Sequence, residues 1–135
     1  MKWFFILIIS CFIISCSKTN TQLSVTKEDL SGKWLLKQYA GGIGYYVYTP
    51  TDSSILTFDA TGNYTSTEND TVTDKGNFEI TTVRPDEDYY GTKTIINLNS
   101  NENYKIIYGI RISNDSLFLR EGYADGYTYT YIKQQ

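Results

Sequence analysis

Residues 104–119 read YKIIYGIRISNDSLFL, and this stretch decides the fold class. Apolar and aromatic side chains occupy every second position over its first nine residues: Tyr104, Ile106, Tyr108, Ile110 and Ile112. A polar triplet follows at 113–115, and Leu117 and Leu119 then flank Phe118. A period of two residues is typical of a strand with one buried face, and a Ser-Asn-Asp triplet is typical of a tight turn. The stretch therefore predicts two antiparallel strands joined by that turn.

The same alternation recurs on both sides of this hairpin. It is carried by Trp34 and Leu36, Leu56 and Phe58, Phe78 and Ile80, Ile96 and Leu98, and the series Tyr127, Tyr129 and Tyr131. With Tyr64–Ser66 this makes about eight short strands, and polar turns are predicted at 59–63, 74–77, 99–103, 113–115 and 124–126. Closing such a sheet removes its exposed edges. We therefore predict an all-β fold, an antiparallel up-and-down meander closing into a small eight-stranded barrel.

A short helical turn is predicted just before the first strand. Thr26 is followed three residues later by Asp29, a spacing that resembles a capping box and favours a helix start. The preceding segment, 16–25, is mostly polar and is predicted to be a flexible tether. The folded domain is therefore expected to span residues 26–135.

The first fifteen residues are expected to be a signal peptide. An almost unbroken apolar run from Trp3 to Ser15 follows the single cation Lys2, and it is too short to span a bilayer. The run ends in IISC at 13–16, which resembles the lipobox of bacterial lipoproteins and implies that Cys16 is lipidated and becomes the new N-terminus. A second IISC at 8–11 is less suitable because an apolar segment follows it. The alternative is an ordinary secretory signal or an uncleaved anchor helix.

The resemblance to lipoproteins implies a location and a membrane partner. The protein is expected in a bacterial cell envelope, held to the outer membrane by its N-terminal lipid. Surface-exported lipoproteins of the Bacteroidota tend to carry acidic residues after the lipidated cysteine, and Ser17-Lys18-Thr19-Asn20 contains none. A domain that faces the periplasm is therefore expected, and we expect it to be a monomer.

Composition argues against several classes of function. Histidine is absent, which excludes Ser-His and Cys-His nucleophile pairs and His-ligated metal sites. Twelve basic against fifteen acidic residues leave a net charge of -3, so nucleic acid is not an expected partner. Asp86-Glu87-Asp88 is the one acidic cluster, but it lacks the spacing of a calcium loop and is interpreted as a solvated loop. We expect no cofactor, no metal and no enzymatic activity.

The order of several short motifs resembles a known family. Gly32-Lys33-Trp34 behind a helical turn resembles the Gly-x-Trp signature of lipocalins, and the succession of motifs from Leu30 to Lys133 is similar to the lipocalin-like lipoproteins of Bacteroidota. In that family a cation of the last strand packs over the tryptophan. The resemblance implies that Lys133, in place of arginine, does so here, and it implies a binding site at the barrel mouth.

Thirteen tyrosines make aromatic binding surfaces the leading functional candidates. Tyr45, Tyr46 and Tyr48 follow a glycine-rich segment, and glycines would let the loop from Gly41 to Pro50 bend over a barrel mouth. Tyr89 and Tyr90 lie in another predicted loop. The expected ligand is a small molecule, a glycan or a peptide, bound without a covalent bond. The alternative is a protein-interaction or inhibitor module with a filled barrel and a tyrosine-rich loop surface.

Two tripeptides resemble acceptors for protein O-glycosylation in Bacteroidota. They are Asp70-Thr71-Val72 and Asp115-Ser116-Leu117, with Thr71 and Ser116 as the acceptor residues. The pattern is short, and the alternative is that each aspartate simply belongs to a tight turn.

Overall fold

The structure is a computed structural model that describes residues 24–83 and 91–135. Within these two ranges, one helical turn and nine strands follow one another. They are α1 (Lys27–Leu30), β1 (Gly32–Gly41), β2 (Tyr46–Tyr48), β3 (Ser54–Phe58), β4 (Asn63–Glu68), β5 (Thr71–Thr82), β6 (Thr94–Ser100), β7 (Lys105–Ser113), β8 (Ser116–Glu121) and β9 (Thr128–Lys133). Across these two ranges the structure contains no helix long and apolar enough to cross a membrane.

All strands pair antiparallel with their sequence neighbours, except that β2 and β3 both pair with β1. The last strand, β9, also pairs with β1 over residues 34–40, which closes the sheet. The predicted fold is thereby confirmed as a closed antiparallel barrel of eight strands preceded by a helical turn. The ninth strand, β2, is an addition to that barrel.

The extra strand arises because one edge of β1 has two partners in succession. Gly32–Leu35 pairs with β3, and Tyr39–Gly41 pairs with β2. Along the other edge, which faces β9, the register shifts between Leu36 and Gln38. The segment from Gly41 to Pro50, predicted as a loop, is therefore largely a β-hairpin between the end of β1 and β2.

The prediction of a turn at residues 74–77 was wrong, because these residues lie inside β5. The chain turns instead at Asn69 and Asp70, whose positive φ angles of 48° and 64° suit a tight hairpin. Gly76 allows β5 and β6 to pair closely, because a Cβ at this position would overlap the carbonyl oxygen of Asn99 on β6. The glycine marks a close approach of two backbones within the sheet.

Alternate side chains of the strands fill the barrel interior next to the helical turn. The core consists of buried apolar residues contributed by α1 and by every strand except β2 and β9: Leu30, Trp34, Leu56, Phe58, Tyr64, Phe78, Ile96, Leu98, Ile110, Leu117 and Leu119. Tyr129 and Tyr131 of β9 pack against this core from the last strand. The apolar faces predicted from alternation therefore meet inside one barrel.

The helical turn lies across one end of the barrel, here called the closed end. The Thr26 side chain and the Asp29 side chain cap each other's backbone N–H, which is the predicted capping box. The indole Nε1 of Trp34 donates to the Leu30 carbonyl at 2.6 Å, and the Lys27 Nζ lies 5.6 Å from the Phe78 ring centroid. These contacts hold α1 over the apolar interior.

Candidate functional site

Aromatic side chains gather at the opposite end of the barrel, here called the mouth. Tyr39 and Tyr48 stack with ring centroids 5.1 Å apart and an interplanar angle of 18°. Tyr127 meets Tyr39 edge-on at 5.7 Å, and Tyr129 lies 5.9 Å from it. We call Tyr39, Tyr48, Tyr127 and Tyr129 the tyrosine cluster. It presents flat, half-polar surface, because phenol rings are apolar on the face and polar at the tip.

A cavity of about 470 Å³ opens beside the tyrosine cluster, and we call it the mouth pocket. Its lining comes from β1, the end of β2, the segment between β2 and β3, and the ends of β3, β4 and β5: Leu36, Tyr39, Tyr48, Thr49, Pro50, Thr51, Asp52, Ser54, Ser66, Glu68 and Thr73. The volume lies within the usual range of about 300 to 1,000 Å³ for small-molecule sites. The mouth of the barrel is thus open while the closed end is packed.

The mouth pocket lies where β1 loses its hydrogen-bonded neighbour along one edge. Between Leu35, the last partner of β3, and Tyr39, the first partner of β2, β1 has no neighbour on that edge. The segment between β2 and β3, residues 49–53, lies beside this gap. Ser66 lies directly opposite the buried Leu56 in the ladder, so it belongs to the inner face of the barrel. The pocket therefore reaches from the rim to the interior.

A single carboxylate organises the other half of the mouth. Glu121 accepts hydrogen bonds from the Tyr123 hydroxyl at 2.6 Å, the Tyr127 backbone N–H at 2.7 Å and the Tyr129 hydroxyl at 3.0 Å. Burial and the Glu121 charge raise the pKa of Tyr129 above its usual range and that of Tyr108 to about 12. The hydrogen bonds of Glu121 tie the β8–β9 loop to the barrel.

A second polar cluster lies between β4, β5 and β6. The Tyr64 hydroxyl and the Ser100 hydroxyl each donate to the Asp74 carboxylate at 2.6 Å. Burial by itself raises the pKa of Asp74, but hydrogen bonds from Ser100, Tyr64 and Tyr104 and from the backbone N–H of Lys75 lower it below its usual value. All of these donors bind the ionised Asp74 carboxylate, so we assign this cluster a structural role.

The predicted ligand-binding tyrosines fall into three groups. Tyr48 lines the mouth pocket. Tyr45 and Tyr46 project from the β1–β2 hairpin, with exposed fractions of 73% and 59%, and do not line it. Tyr89 and Tyr90 lie outside the described residues, as does the acidic cluster 86–88.

Sequence reasoning missed Tyr39, Asp52 and Glu68 as pocket residues. Strict alternation from Trp34 and Leu36 places position 38 inward and Tyr39 outward. The bulge in β1 reverses that order, so that Tyr39 faces Tyr129 across the ladder. The sequence around this bulge does not indicate it, because residues 34–40 contain neither glycine nor proline.

Gly32, Trp34 and Lys133 lie together at the closed end. Trp34 is fully buried, and the Lys133 Nζ lies 5.0 Å from its ring centroid. The same ammonium donates to the Asp29 carbonyl at 3.4 Å, and a Cβ at Gly32 would lie 3.2 Å from the lysine chain. The lysine therefore joins the first strand, the last strand and the helical turn.

The two glycosylation candidates differ in accessibility. Thr71 is exposed at the start of β5, opposite Glu68. Ser116 is half-buried, and it pairs with both Ser113 and Ile132 in the sheet. Cys16 lies outside the described residues. In the part of the chain that the structure describes, no three acidic or cysteine side chains are grouped to hold a metal ion.

Comparisons with known proteins found no protein similar to this chain. A scan against protein-family models found no match. Searches of curated proteins and of solved structures likewise found no chain similar to this one.

Proposed function

We propose that the protein is a lipid-anchored binding protein of a bacterial envelope, with a lipocalin-like barrel that holds a small or extended ligand non-covalently at its mouth. The mouth pocket carries this proposal, because an aromatic-walled cavity of about 470 Å³ opens at the end opposite the packed core. Binding sites usually occupy such concave, preformed places on rigid scaffolds. Binding is proposed in preference to catalysis because the chain has no histidine and offers no evident nucleophile pair.

The arrangement of the domain suits an anchor at Cys16. Ten residues separate Cys16 from α1, and at full extension they reach at most about 35 Å. They join the domain at the helical turn, which lies over the closed end. Lipid at Cys16 would therefore hold the closed end near the membrane and leave the mouth directed away from it, into the proposed periplasmic space.

The anchor is tested by replacing Cys16 with alanine. We expect the Cys16→Ala protein to keep its signal peptide, to be about 15 residues longer, and to take up no palmitate in metabolic labelling. The matched control is Cys11→Ala, which should be processed and labelled like the wild type. Labelled Cys16→Ala protein, or loss of label in Cys11→Ala, would contradict lipidation at Cys16.

A second candidate function is protein interaction through the β1–β2 hairpin. Its tip exposes large apolar side chains, with exposed fractions of 85% for Ile43, 73% for Tyr45 and 59% for Val47. Contiguous exposed apolar surface is typical of interaction sites. In this case the working surface is the outside of the hairpin, and the pocket beside it has no role.

Two single substitutions separate the candidates. If the pocket binds the ligand, Tyr48→Ser should lose whatever co-purifies with the protein from its own organism, and Tyr45→Ser should retain it, as judged by native mass spectrometry. The reason is that Tyr48 lines the pocket and Tyr45 does not. Tyr48→Ser should fold, at a cost of about 1 kcal/mol for the lost stacking. Loss in Tyr45→Ser with retention in Tyr48→Ser would favour the interaction module.

A further inference from the structure

The chemistry of the mouth pocket indicates which class of ligand it takes. We infer that it binds a saccharide that carries a protonated amine. This inference rests on the proposed function and deepens it. Three properties of the lining support it: an aromatic wall, a set of hydroxyl groups, and two carboxylates with no cationic side chain among the lining residues that the structure describes.

The aromatic wall suits the flat face of a sugar ring. Tyr39 and Tyr48 stack on each other, and both rings line the cavity. Tyr48 is 41% exposed and borders the cavity. The C–H bonds on one face of a pyranose pack on such rings, whereas a long alkyl chain would favour a deep apolar cavity. Among the described lining residues, Leu36 and Pro50 are the only aliphatic ones.

The rest of the wall is rich in hydrogen-bonding groups. Five hydroxyl side chains line the cavity: Thr49, Thr51, Ser54, Ser66 and Thr73. A hydroxyl both donates and accepts, so it can pair with either role of a sugar hydroxyl. Thr51 already donates to the Asp52 side chain and Thr73 to Ser66. These two hydroxyls can still accept, and those of Thr49, Ser54 and Ser66 can still donate, so the lining suits a polyhydroxylated guest.

Charge then distinguishes among saccharides. Among the lining residues in 24–83 and 91–135, Asp52 and Glu68 are the charged ones, and none is a lysine or arginine. Asp52 already accepts from the Asn69 side chain at 3.0 Å. Within the described ranges, Glu68 has no hydrogen-bond donor or cation as a partner. A carboxylate without a partner at the rim attracts an ammonium group and repels a uronate or a phosphate.

The test is calorimetric titration of the detergent-solubilised full-length protein with four disaccharides of similar size. The probes are glucosamine disaccharide, its N-acetylated form, cellobiose and a uronic acid disaccharide. We expect the amine to bind about fivefold to tenfold more tightly than the two neutral sugars, since exposed charge pairs are individually weak. We expect the acidic sugar not to bind. The preference should vanish at about 1 M salt, where charges are screened within about 3 Å.

Glu68→Gln is the decisive variant, because it removes the charge and keeps the shape. It should reduce the ratio of the amine affinity to the cellobiose affinity at least twofold. Its matched control is Glu79→Gln, an exposed carboxylate on the outer face of β5 between the inward Phe78 and Ile80, which should leave this ratio unchanged. Equal binding of amine and neutral sugars, or an unchanged preference in Glu68→Gln, would overturn the amine assignment.

Failure of this inference is distinguishable from failure of the proposed function. If no saccharide binds while native mass spectrometry finds another small molecule that is lost in Tyr48→Ser, the ligand class is wrong and the pocket remains the site. If no probe binds and no small molecule depends on Tyr48, both the inference and the proposed binding function are wrong.

Discussion

Replacing Trp34 with alanine should lower the free energy of unfolding by about 3 to 5 kcal/mol, the usual cost of deleting a large buried aromatic side chain. Trp34 is fully buried, and its indole N–H donates to the Leu30 carbonyl at 2.6 Å. The substitution leaves a cavity at the closed end and an unpaired carbonyl under α1. Such a loss can be a large part of the total stability of a small domain. Urea denaturation followed by circular dichroism measures it.

Trp34→Phe is the control that separates packing from hydrogen bonding. It keeps a large apolar ring and removes the N–H donor, so it should cost clearly less than Trp34→Ala, about 1 to 2 kcal/mol. This variant also keeps the prediction testable if Trp34→Ala does not fold. An unfolding midpoint unchanged by Trp34→Ala would mean that the side chain is not buried at the closed end, and the register of β1 would then be wrong.

The second large effect is expected at Asp74. Replacing it with asparagine should cost about 2 kcal/mol at pH 7, because hydrogen bonds to a charged acceptor contribute more than neutral ones. In the wild type the Tyr64 hydroxyl donates to one carboxylate oxygen and the Ser100 hydroxyl to the other, each at 2.6 Å, so the asparagine sets an N–H₂ group against one of these two donors. Tyr64 is only 2% exposed, so its hydroxyl is poorly placed to pair with water.

The stability that Asp74→Asn loses should depend on pH, and the direction of this dependence follows from the pKa shift of Asp74. The folded state lowers the pKa of Asp74, so the ionised carboxylate stabilises the fold above the unfolded aspartate value of about 3.9. That stabilisation disappears as the pH falls through the lower, folded pKa. The difference between wild type and Asp74→Asn should therefore be largest near neutral pH and should shrink below about pH 4.

The matched control for Asp74→Asn is Asp70→Asn, which makes the same chemical change in an exposed turn. Asparagine tolerates the positive φ of 64° at this position, so the cost should stay within about 0.5 kcal/mol. A difference between wild type and Asp74→Asn that stays constant from pH 7 to pH 3 would contradict the assigned role of the carboxylate.

The strands of the barrel were predictable because their signals are local. Alternation over 106–112 and 34–36 identified inward faces, although Tyr104, predicted on the first of them, is exposed, and the capping box at Thr26 identified the helical turn. An apolar face with a period of two residues has to be covered, and a meander of such strands covers it most simply by closing. Local chemistry therefore sufficed for the fold class and for most of the core.

The errors occurred where a residue's role depends on a partner far along the chain. Asp74 and Gly76 have the composition of a turn, yet they lie within β5, because Asp74 binds hydroxyls of β4 and β6 and Gly76 admits the Asn99 backbone. The tyrosines of the β1–β2 hairpin were recognised as a group, but sequence alone did not separate Tyr48, which lines the pocket, from the outward Tyr45.

The sequence by itself determined the class of fold, the inward faces of most strands and the burial of Trp34, because hydrophobic alternation and capping act between near neighbours. The tertiary structure decided the site. The mouth pocket depends on the bulge in β1, on the change of its partner from β3 to β2, and on closure by β9, which together bring Tyr39, Asp52 and Glu68 to one cavity. Strand register is set by pairing across the sheet, and a shift of one residue reverses which side chains face inward.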